Sequence, residues 1–570
     1  MEYILVPAVI DLRDDFFIFF YELGKFARRK EDMRMKGAKA IVRCLEEEGV
    51  AIVFGYPGAA VIPLYEELRQ CNIQHILMRH EQATVHAANG YARITGKVGV
   101  CVVTSGPGAT NAITGVATAY MDSIPLVIIT GQVNRHMIGH DVFQEVDITG
   151  ATEPFVKHSY LVKEASDLPR IFKEAFYIAA SGRPGPVLID IPLDVQEEKV
   201  FFSYPETVSI RGYCPTFHGH PGQLKRAIRR LQMAERPLVC VGGGVLAAGA
   251  EKELRQFIEK AKIPLVHTFM GIGAFPTESP YSLGMIGSHG HYAANRAVSK
   301  ADVVLFIGAR IADRATGGNP HFAKNADIIH VDIDPAEIGK NIGALIPVVG
   351  DAKEVLRIFV EKTNPLQIEE WQVKCKEWKE KTPYPEPTES KINPKYAIRR
   401  LSKILDSDAV VVADVGQNQM WAARHFEIKG ERKFFSSGGL GTMGYSLPAA
   451  IGTKIGAPEK NVVAVVGDGG FQMSLPELGT LQQTKVKLII LLFNNQRLGM
   501  VREIQDRRYQ APFGVYLDKN PDFIKLAEAY GLAGRQVSTY EELEETFIEA
   551  LDSKTTFLIE CIVDEKESTL

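Results

Sequence analysis

Two short polar motifs each follow a run of apolar residues in the last quarter of the chain. Asp468 stands between two glycines directly after the run 462–466, and a pair of asparagines ending at Asn495 follows the run 488–493. Such β-branched and aliphatic runs are typical of parallel strands that are buried on both faces. Because the crossover between parallel strands is nearly always right-handed, the two motifs should emerge at the same carboxyl edge of one sheet. We therefore predict that Asp468 and Asn495 share one ligand.

The oxygen donors of these motifs suit a hydrated magnesium ion on a diphosphate. One carboxylate, one amide oxygen and backbone carbonyls are too few to cage an ion, but Mg²⁺ keeps waters and phosphate oxygens in its octahedron. Glycines beside Asp468 would let backbone N–H groups approach phosphate oxygens. A tight turn with a capped loop is the alternative, since Gly and Asn occur at many such corners. Between the motifs, Ser474 and Glu477 have capping-box spacing with Pro476 in the first turn, which predicts a helix that starts there.

A second position of chemical interest is Glu81, in the stretch RHEQATVHAANGYARITG. It stands at a predicted strand-to-helix junction, directly before an alanine-rich helix that should be buried. A carboxylate at a helix N-terminus is stabilised by the helix dipole, by about 0.3–1 kcal/mol, and this is one interpretation. The other is a buried acid that transfers protons. Taken alone, this stretch favours neither interpretation.

Length and composition limit the classes of protein to consider. At 570 residues the chain exceeds a single core, and we expect three domains. With 65 basic and 69 acidic residues the net charge is −4, and no long block of one sign occurs, so neither nucleic acid nor a membrane surface is an expected partner. The seven cysteines form no CxxC pair and lie mostly in apolar runs, as buried thiols do in a reducing compartment. No segment has the roughly 18 uninterrupted apolar residues of a membrane helix, and we expect a cytoplasmic protein.

Strands, glycine-rich loops and helices alternate through three parts of the chain. This rhythm predicts an α/β protein with three doubly wound parallel-sheet domains. The predicted domains are residues 35–200, 223–352 and 394–570. The charged, proline-bearing stretch 353–393 is interpreted as a linker, a surface helix with a tether. Residues 1–34 lack the composition of a signal or transit peptide and are treated as an appendage of unknown role.

Several longer motifs together indicate a family. They are GYPGAA at 55–60, RHEQ at 79–82, TSGPGATN at 104–111, MDSIPLVIITGQV at 121–133, FQEVDI at 143–148, GRPGPVLIDIPLDVQ at 182–196, SSGGLGTMG at 436–444, and GDG followed by NN after 24 residues. From about residue 35 to nearly the end, the sequence resembles the large, catalytic subunits of acetohydroxyacid synthase, also called acetolactate synthase. The resemblance implies domains that bind, in chain order, the pyrimidine of thiamine diphosphate, a flavin, and the diphosphate with its metal.

The resemblance also implies a carboligase that uses pyruvate. In this family the carboxylate equivalent to Glu81 hydrogen-bonds the aminopyrimidine ring and promotes deprotonation of the thiazolium carbon, which attacks a 2-oxo acid. Carbon dioxide leaves, and the remaining two-carbon unit adds to a second 2-oxo acid. Met443 resembles the residue that bends the cofactor. Gln144 and Phe143 resemble residues that face the reacting carbonyls, and Lys157 resembles a lysine at the substrate entrance.

The cofactor contacts implied by the resemblance lie in all three domains. For thiamine diphosphate and Mg²⁺ they are Gly58, Glu81, Gln417, Asn418, Gly441, Met443, Gly467, Asp468, Gly469, Gly470, Asn495, Leu498, Gly499 and Met500, with Asp468, Asn495 and the backbone carbonyl of Arg497 as metal ligands. For FAD they are Arg183, Gly242, Gly243, Thr268, His289, Gly308, Arg310, Asp313, Arg314, Asp332, Ile333 and Asp351. Flavin has no redox role in forming acetolactate, so FAD would be structural. A glycine turn that closes an α/β domain without a ligand is the alternative for the GGG stretch.

Partners and competing activities follow from the same resemblance. In this family the cofactor sits between domains of different subunits, so Glu81 and Asp468 imply a homodimer or homotetramer, with a small regulatory subunit as a further partner to consider. Alternatives with the same fold are the catabolic, flavin-free acetolactate synthases, pyruvate oxidases and simple 2-oxo acid decarboxylases. A non-catalytic thiamine-binding scaffold is disfavoured because Glu81, Gln144 and Met443 are all present.

The sequence departs from the family pattern at several positions. Ile504 stands where the family has a tryptophan that is associated with choosing 2-oxobutanoate as acceptor, so we expect little preference for that substrate. Ser288, Ala312 and Asn418 replace the Met of GMHG, the first Asp of DDR and the His of GQHQM. These changes bear on flavin binding and on the choice of acceptor.

Overall fold

A computed structural model describes residues 34–318, 321–389, 391–509 and 511–570. Three six-stranded parallel sheets follow one another along the chain, each with helices between its strands, which confirms the predicted α/β class. The appendage predicted at 1–34 lies outside the described residues, apart from Arg34, which begins the first strand. The limits of the three domains remain a prediction.

The first domain has eight strands, of which six form a parallel sheet and two form an antiparallel ribbon. Its strands are β1 (Arg34–Lys36), β2 (Ile52–Tyr56), β3 (Gln74–Leu77), β4 (Gly99–Val103), β5 (Leu126–Gln132), β6 (His158–Leu161), β7 (Pro186–Pro192) and β8 (Lys199–Phe201). Its helices are α1 (Gly37–Glu47), α2 (Ile62–Leu68), α3 (Glu81–Thr95), α4 (Pro107–Asp122), α5 (Ile148–Thr152), α6 (Leu168–Ala180) and α7 (Leu193–Glu197). The parallel sheet has the order β3-β2-β4-β5-β7-β6, and β1 pairs with β8 in an antiparallel ribbon.

The second domain repeats this architecture. Its strands are β9 (Pro237–Val241), β10 (Leu265–His267), β11 (Ser282–Met285), β12 (Val303–Ile307), β13 (Asp327–Asp332) and β14 (Ile346–Val349). Its helices are α8 (Pro221–Gln232), α9 (Gly243–Ala247), α10 (Glu251–Ala261), α11 (Tyr292–Lys300), α12 (Asp313–Thr316), α13 (Ala352–Lys362) and α14 (Glu369–Glu380). The sheet order is β11-β10-β9-β12-β13-β14.

The third domain is built in the same way. Its strands are β15 (Val410–Ala413), β16 (Lys433–Ser436), β17 (Val462–Gly467), β18 (Ile489–Asn494), β19 (Ala533–Val537) and β20 (Phe557–Ile562). Its helices are α15 (Pro394–Ile404), α16 (Gln417–His425), α17 (Ser446–Gly456), α18 (Asp468–Gln472), α19 (Glu477–Thr484), α20 (Gly499–Arg508), α21 (Phe523–Ala529) and α22 (Tyr540–Asp552). The sheet order is β16-β15-β17-β18-β20-β19.

All three sheets reverse their strand order at an equivalent place. In each sheet, successive strands add to one side of an interior strand, and a later strand then pairs on its other side. The reversals fall between β2 and β4, between β9 and β12, and between β15 and β17. Ligands of open α/β sheets bind beyond the carboxyl ends of the strands at such a switch point. The motifs GYPG with TSGPG, GGG with GAR, and DVGQN with GDGG follow these three pairs of strands.

Helices α3 and α17 hold the first and third domains together. At their crossing, a Cβ on Gly90 would lie 2.0 Å from the carbonyl oxygen of Ala449, and a Cβ on Gly452 would lie 1.8 Å from that of Ala87. Real Cβ atoms essentially never come within 3.0 Å of another atom in this way. Glycine at both positions is therefore a condition for this close approach of the two backbones.

A buried ion pair extends the contact between these domains to the glycine-rich SSGGLGTMG loop. Arg93 Nη2 lies 2.7 Å from Asp122 Oδ2, and the two side chains are 8% and 0% exposed. The other oxygen of Asp122 accepts a hydrogen bond from the backbone N–H of Gly439 at 2.7 Å. Removing one partner of such a pair leaves an uncompensated buried charge. Because Asp122 bonds both Arg93 and the backbone of Gly439, it fixes the loop of the third domain against the first domain.

The predicted capping box at Ser474 is wrong. Helix α19 begins at Glu477 with Pro476 as its N-cap, and the short helix α18 precedes it. The Glu477 carboxylate accepts hydrogen bonds from the backbone N–H of Arg79 at 3.0 Å and from Thr480 Oγ1 at 2.7 Å. The contact with the first domain takes the carboxylate away from the local cap.

The stretch 353–393, interpreted as a surface helix with a tether, is more buried than expected. It contains most of α13 and the whole of α14. Trp371, Cys375 and Trp378 lie one helical turn apart and are buried in the core of the second domain. Trp371 Nε1 also donates to the carbonyl of Pro237 at 2.9 Å. The apolar spacing within an otherwise charged segment was the signal for this packing.

Other expectations can be compared directly with the structure. Five of the seven cysteines are buried, while Cys71 is half-buried and Cys214 is exposed. Within the described parts of the chain, no helix is both long and apolar enough to cross a membrane.

Candidate active site

Asp468 and Asn495 emerge side by side at the carboxyl edge of the third sheet. Strands β17 and β18 are adjacent and parallel, so the prediction about the two strand ends is confirmed. Asn520, which was not identified from the sequence, bridges Asp468 and Asn494, the residue before Asn495. Its Nδ2 donates to Asp468 Oδ2 at 2.7 Å and to Asn494 Oδ1 at 3.1 Å. We call Asp468, Asn494, Asn495 and Asn520 the Asp468 corner.

The donor set of the Asp468 corner fits a hydrated magnesium ion. Asp468 is 1% exposed, and burial raises its pKa to about 6. Asn495 Oδ1 accepts a hydrogen bond from the backbone N–H of Arg497 at 3.1 Å, which orients the amide. Within the described ranges, no three His, Cys, Asp or Glu side chains are grouped to hold a metal by themselves. One carboxylate with neutral oxygen donors instead suits an ion whose shell is completed by phosphate and water.

Gln417, at the start of α16, links this corner to two other segments. Its Oε1 accepts from Asn495 Nδ2 at 3.0 Å. Its Nε2 donates to Glu503 Oε2 at 2.9 Å and to the carbonyl of Glu567 at 2.7 Å. A Cβ on Gly499 would lie only 2.0 Å from Gln417 Oε1. The predicted cofactor residues Gln417, Asn495 and Gly499 are therefore in mutual contact.

Asp414 organises the loops around the corner and was not identified from the sequence. Its Oδ1 accepts from the backbone N–H groups of Val415 at 2.9 Å and Gly444 at 3.0 Å, and its Oδ2 from that of Ser446 at 2.8 Å. Asn418 Nδ2 donates to its carbonyl at 2.8 Å. Burial raises the pKa of Asp414 to about 6. An acidic residue directly after a buried strand at a switch point was the available signal.

The glycines of the GDGG stretch are surrounded by other predicted site residues. A Cβ on Gly469 would lie 2.7 Å from Leu498 Cδ2 and 3.6 Å from Met443 Cε. A Cβ on Gly470 would lie 2.5 Å from Asp414 Oδ1. The structure thus brings Met443 and Leu498 to the GDGG stretch. Of the other predicted residues here, Gly467 precedes Asp468, Gly441 has left-handed backbone in the SSGGLGTMG loop, and Met500 is half-buried on α20.

In the first domain, one loop brings Glu81 and Gln144 together. Asn111 Nδ2 donates to Glu81 Oε2 at 3.1 Å. A Cβ on Gly108 would lie 3.3 Å from Glu81 Oε1, and a Cβ on Gly106 would lie 2.9 Å from the Cα of Gln144. Both side chains therefore lie against the TSGPGATN loop. We call this arrangement the Glu81 corner.

Glu81 is the first residue of α3 and is 9% exposed. The helix is capped by the preceding His80, whose Nδ1 accepts from the backbone N–H of Gln82 at 3.1 Å. Gly58 approaches the same loop from the other side, since a Cβ there would lie 2.5 Å from the side chain of Thr104. The Glu81 carboxylate thus lies at a helix N-terminus and also accepts a side-chain hydrogen bond from Asn111. Both interpretations made from the sequence, stabilisation by the helix dipole and proton transfer, are compatible with this arrangement.

Gln144 is held in a left-handed backbone conformation, with φ of 61°. Such a conformation is costly for a non-glycine residue and persists only when its surroundings fix it. Gln132 Nε2 fixes the adjoining loop by donating to the carbonyl of Val146 at 2.8 Å and to Asp190 Oδ2 at 3.0 Å. Burial raises the pKa of Asp190 to about 7. Phe143, the neighbour of Gln144, is 86% exposed in the single chain.

Lys157 lies in a separate polar cluster. Its Nζ donates to the carbonyl of Ile178, to the carbonyl of Ser181 at 2.6 Å and to the hydroxyl of Tyr213 at 3.0 Å. Burial lowers the pKa of Lys157 to about 8. None of these partners belongs to the Glu81 corner. The ammonium group anchors the connection between the first and second domains.

The residues predicted to contact FAD lie at or near the carboxyl edge of the second sheet. At the switch point, a Cβ on Gly242 would lie 2.2 Å from the carbonyl oxygen of Gly308. Beyond it, burial raises the pKa of Asp332 to about 6 and lowers that of Arg310. Of the remaining residues, Gly243, His289 and Ile333 are half-buried, Thr268 is buried, and Asp313 and Arg314 are more than three quarters exposed.

Two of these predicted flavin contacts already have protein partners. Arg183 Nη1 donates to Glu337 Oε1 at 2.9 Å and to Asp334 Oδ2 at 3.3 Å, which ties the first domain to the second. Asp351 caps α13 through the backbone N–H of Lys353 at 2.9 Å. At the switch point, the backbones of Gly242 and Gly308 are in direct contact, which by itself requires glycine. The alternative of a glycine turn without a ligand therefore accounts for part of this pattern.

Glu503, one residue before Ile504 on α20, was also not identified from the sequence. It is 5% exposed. Although burial raises its pKa, hydrogen bonds from Gln417, Ser568 and Thr569 outweigh that effect and hold the pKa below its usual value. Glu503 is therefore a buried carboxylate that stays ionised.

The sequence matches three family profiles in chain order. They are the thiamine pyrophosphate enzyme N-terminal TPP binding domain over residues 35–151, the central domain over 224–359 and the C-terminal TPP binding domain over 414–561. Together they cover more than half of the chain. The two corners lie in the domains whose profiles describe binding of the cofactor, and the chain belongs to the thiamine pyrophosphate enzymes.

Individual relatives narrow the family further. The chain is 46% identical to a probable acetolactate synthase large subunit of Methanocaldococcus jannaschii over 548 residues, 94% of this chain and 93% of that protein. It is 47% identical to the acetolactate synthase isozyme 3 large subunit of Escherichia coli over 530 residues, 91% of this chain and 92% of that protein. It is 45% identical to the acetolactate synthase large subunit of Haemophilus influenzae over 546 residues, 94% and 95% of the two chains. Within the thiamine pyrophosphate enzymes, the chain belongs to the acetolactate synthase large-subunit family.

Proposed function

We propose that this protein condenses two pyruvate molecules to 2-acetolactate and carbon dioxide, a reaction that serves branched-chain amino-acid synthesis. The observation that carries the proposal is the meeting of Asp468, Asn495 and Gln417 beyond the carboxyl ends of β15, β17 and β18, in a domain of the thiamine diphosphate-binding class. When bound, thiamine diphosphate supplies a carbon centre that accepts the electron pair released by decarboxylation of a 2-oxo acid.

The residues of the first domain would handle protons and orient the substrate. Asn111 holds one oxygen of Glu81, which leaves the other oxygen for a proton on the aminopyrimidine side of the cofactor. Gln144, held by its neighbours in a strained backbone conformation, would present its amide to the reacting carbonyls. We expect Glu81→Gln to bind the cofactor but lose most of the activity, because an amide cannot exchange the proton. Near-normal turnover would leave Glu81 with the helix-dipole role alone.

The Asp468 corner would hold Mg²⁺ against the diphosphate. Asp468, Asn495 and the carbonyl of Arg497 would be its protein ligands, and the Asn520 hydrogen bond would orient the carboxylate. We expect Asp468→Ala to lose thiamine diphosphate in equilibrium dialysis with Mg²⁺ present. If this variant retained the cofactor as tightly as the unmodified protein, the proposed metal site would be wrong.

We propose a homodimer as the minimum active unit. The contacts of Glu81 lie within the first domain and those of Asp468 within the third, so one chain offers two half-sites. Phe143, 86% exposed, would be covered by the second subunit. If each site combines both half-sites from different chains, mixing inactive Glu81→Gln and Asp468→Ala subunits should restore about a quarter of the sites by random pairing. No recovery after co-refolding would argue against shared sites.

FAD in the second domain is a further part of the proposal. The switch point between β9 and β12 offers a close glycine crossing, with the buried Asp332 and the half-buried Arg310 beyond it, which fits an extended polar ligand. The flavin would be structural. We expect the purified protein to show flavin absorbance, and Arg310→Ala to lower the FAD content. A flavin-free protein with full activity would favour the catabolic type of acetolactate synthase.

Ile504 bears on the choice of the second 2-oxo acid. It is 43% exposed on α20 and is smaller than an indole, so it would give a weaker wall against the extra methyl group of 2-oxobutanoate. One methylene in an apolar pocket is worth about 1–3 kcal/mol. We expect mainly acetolactate from a mixture of pyruvate and 2-oxobutanoate, with Ile504→Trp shifting the products toward acetohydroxybutyrate. Strong acetohydroxybutyrate formation by the unmodified protein would assign the wall to another residue.

A product assay with pyruvate, with and without added FAD, tests the central proposal. Acetolactate is expected in a 1:1 ratio with carbon dioxide. Acetaldehyde would indicate a simple decarboxylase, and flavin-dependent consumption of an electron acceptor would indicate a pyruvate oxidase. A cytoplasmic location and a small regulatory subunit are also proposed, the latter because the relatives are named large subunits.

A further inference from the structure

The helix that carries Ile504 is held by polar rather than apolar contacts. Arg502 and Glu503 are the only buried side chains of α20, because the third buried residue, Gly499, has none. Val501 and Ile504 are 46% and 43% exposed. A surface helix is normally docked by an apolar stripe. The buried side-chain contacts of α20 are therefore the hydrogen bonds of two charged residues.

Glu503 has the larger share of these hydrogen bonds. Its Oε2 accepts from Gln417 Nε2 at 2.9 Å. Its Oε1 accepts from the hydroxyls of Ser568 and Thr569, each at 2.9 Å, and the backbone N–H of Thr569 lies 3.1 Å from Oε2. Arg507 Nη2, one turn along the helix, also donates to Oε1. The carboxylate thus joins α20 to α16 and to residues 567–569.

Residues 567–569, which we call the 567–569 segment, are themselves fixed by backbone contacts. Arg502 Nη2 donates to the carbonyl of Glu567 at 3.0 Å. From α16, Trp421 Nε1 donates to the carbonyl of Ser568 at 2.9 Å and Arg424 Nη1 to that of Thr569 at 3.0 Å. The 567–569 segment therefore keeps contacts that do not involve Glu503, and it offers Glu503 a fixed partner.

We propose that Glu503 is a positioning residue that sets where Ile504 stands relative to the Asp468 corner. The connection runs from Glu503 through Gln417 to Asn495, two hydrogen bonds in all. One end of this connection is the side chain next to Ile504, and the other is a proposed metal ligand. The inference deepens the proposed function and rests on it, because Ile504 matters for the acceptor only if the enzyme joins two 2-oxo acids.

An amide cannot replace this carboxylate. An ionised carboxylate is an acceptor only, whereas an amide has one acceptor oxygen and an NH₂ group with two donors. In Glu503→Gln the oxygen could still serve Ser568 and Thr569, but the NH₂ group would then face Gln417 Nε2, which is also a donor. Turning the Gln417 amide to relieve this contact would place its NH₂ group against Asn495 Nδ2. The disturbance therefore passes from α20 to the Asp468 corner.

Hydrogen–deuterium exchange on the cofactor-free protein measures the docking directly. In Glu503→Gln we expect the backbone amides of 499–508 and 563–570 to exchange at least about tenfold faster than in the unmodified protein. The reason is that the variant loses the charge-assisted hydrogen bonds that dock α20. Glu528→Gln is the matched control, because it makes the same substitution at an exposed position of helix α21. We expect it to exchange within about twofold of the unmodified protein.

The same variants are then compared at saturating thiamine diphosphate and Mg²⁺ with equal pyruvate and 2-oxobutanoate. Glu503→Gln should change the ratio of the two products at least about threefold, and Glu528→Gln should not. Unchanged exchange in Glu503→Gln would overturn the docking role. Faster exchange with an unchanged product ratio would overturn the role in acceptor choice. If the unmodified protein makes neither product, the proposed function fails, while the exchange data still decide whether Glu503 docks the helix.

Discussion

Replacing Gly499 by alanine should weaken thiamine diphosphate binding more than it weakens the fold. The added Cβ would stand 2.0 Å from Gln417 Oε1 and 2.7 Å from Asn495 Nδ2. Because real Cβ contacts essentially never fall below 3.0 Å, the oxygen has to retreat by about 1 Å. The Gln417 amide is bonded at both ends, so this retreat breaks hydrogen bonds on either side of it.

The magnitude follows from opposing contributions. Alanine in a helix is favoured over glycine by up to about 1 kcal/mol. Against this, the neutral bond between Asn495 and Gln417 contributes about 0.5–1.5 kcal/mol, and the bond from Gln417 to the Glu503 carboxylate about 1.5–3 kcal/mol. The net loss at the corner is about 1–3.5 kcal/mol, or roughly 5- to 300-fold in affinity if it is fully expressed in cofactor binding.

In the assay, the cofactor-free protein is titrated with thiamine diphosphate at fixed Mg²⁺, and binding is monitored by tryptophan fluorescence. Trp421 lies one turn after Gln417 on α16 and is suited to report the change. Gly343→Ala is the matched control, because a Cβ at that exposed glycine has nothing within 4 Å. Thermal unfolding of both variants separates binding from stability. Equal affinity of Gly499→Ala and Gly343→Ala would refute the reasoning, since Gln417 would then move without cost.

Three further predictions concern stability. Asp122→Ala should lower the free energy of unfolding by about 3–5 kcal/mol in chemical denaturation, because Arg93 is left buried without its partner; a loss below about 1 kcal/mol would contradict this. Gly452→Ala should cost at least about 1–3 kcal/mol, because its Cβ would meet the carbonyl of Ala87, and an unchanged melting temperature would show that the helices can separate freely. The pKa of Asp190 is raised to about 7 by burial, so the stability it contributes is present at low pH and lost as the pH rises through 7. Asp190→Asn, which cannot ionise, should therefore lose less stability than the unmodified protein between about pH 5 and pH 8, and parallel pH curves would count against this.

The sequence by itself determined the fold class and the location of the candidate site. Runs such as 462–466 and 488–493 are apolar over their whole length, and this local property defines buried parallel strands without any knowledge of their neighbours. The handedness of crossovers then places Asp468 and Asn495 at one edge. Motif resemblance added the family, because several motifs agree over most of the chain.

The tertiary structure alone decided which polar groups meet. Glu477 has the spacing of a helix cap, yet its carboxylate bonds the backbone of Arg79, about 400 residues away along the chain. Asn520 and Glu503 were not identified from the sequence, and only the approach of distant segments makes one a partner of Asp468 and the other the anchor of α20. Apolar periodicity is a repeated local signal, whereas a hydrogen bond between remote side chains depends on a few ångströms of packing that no single stretch of sequence encodes.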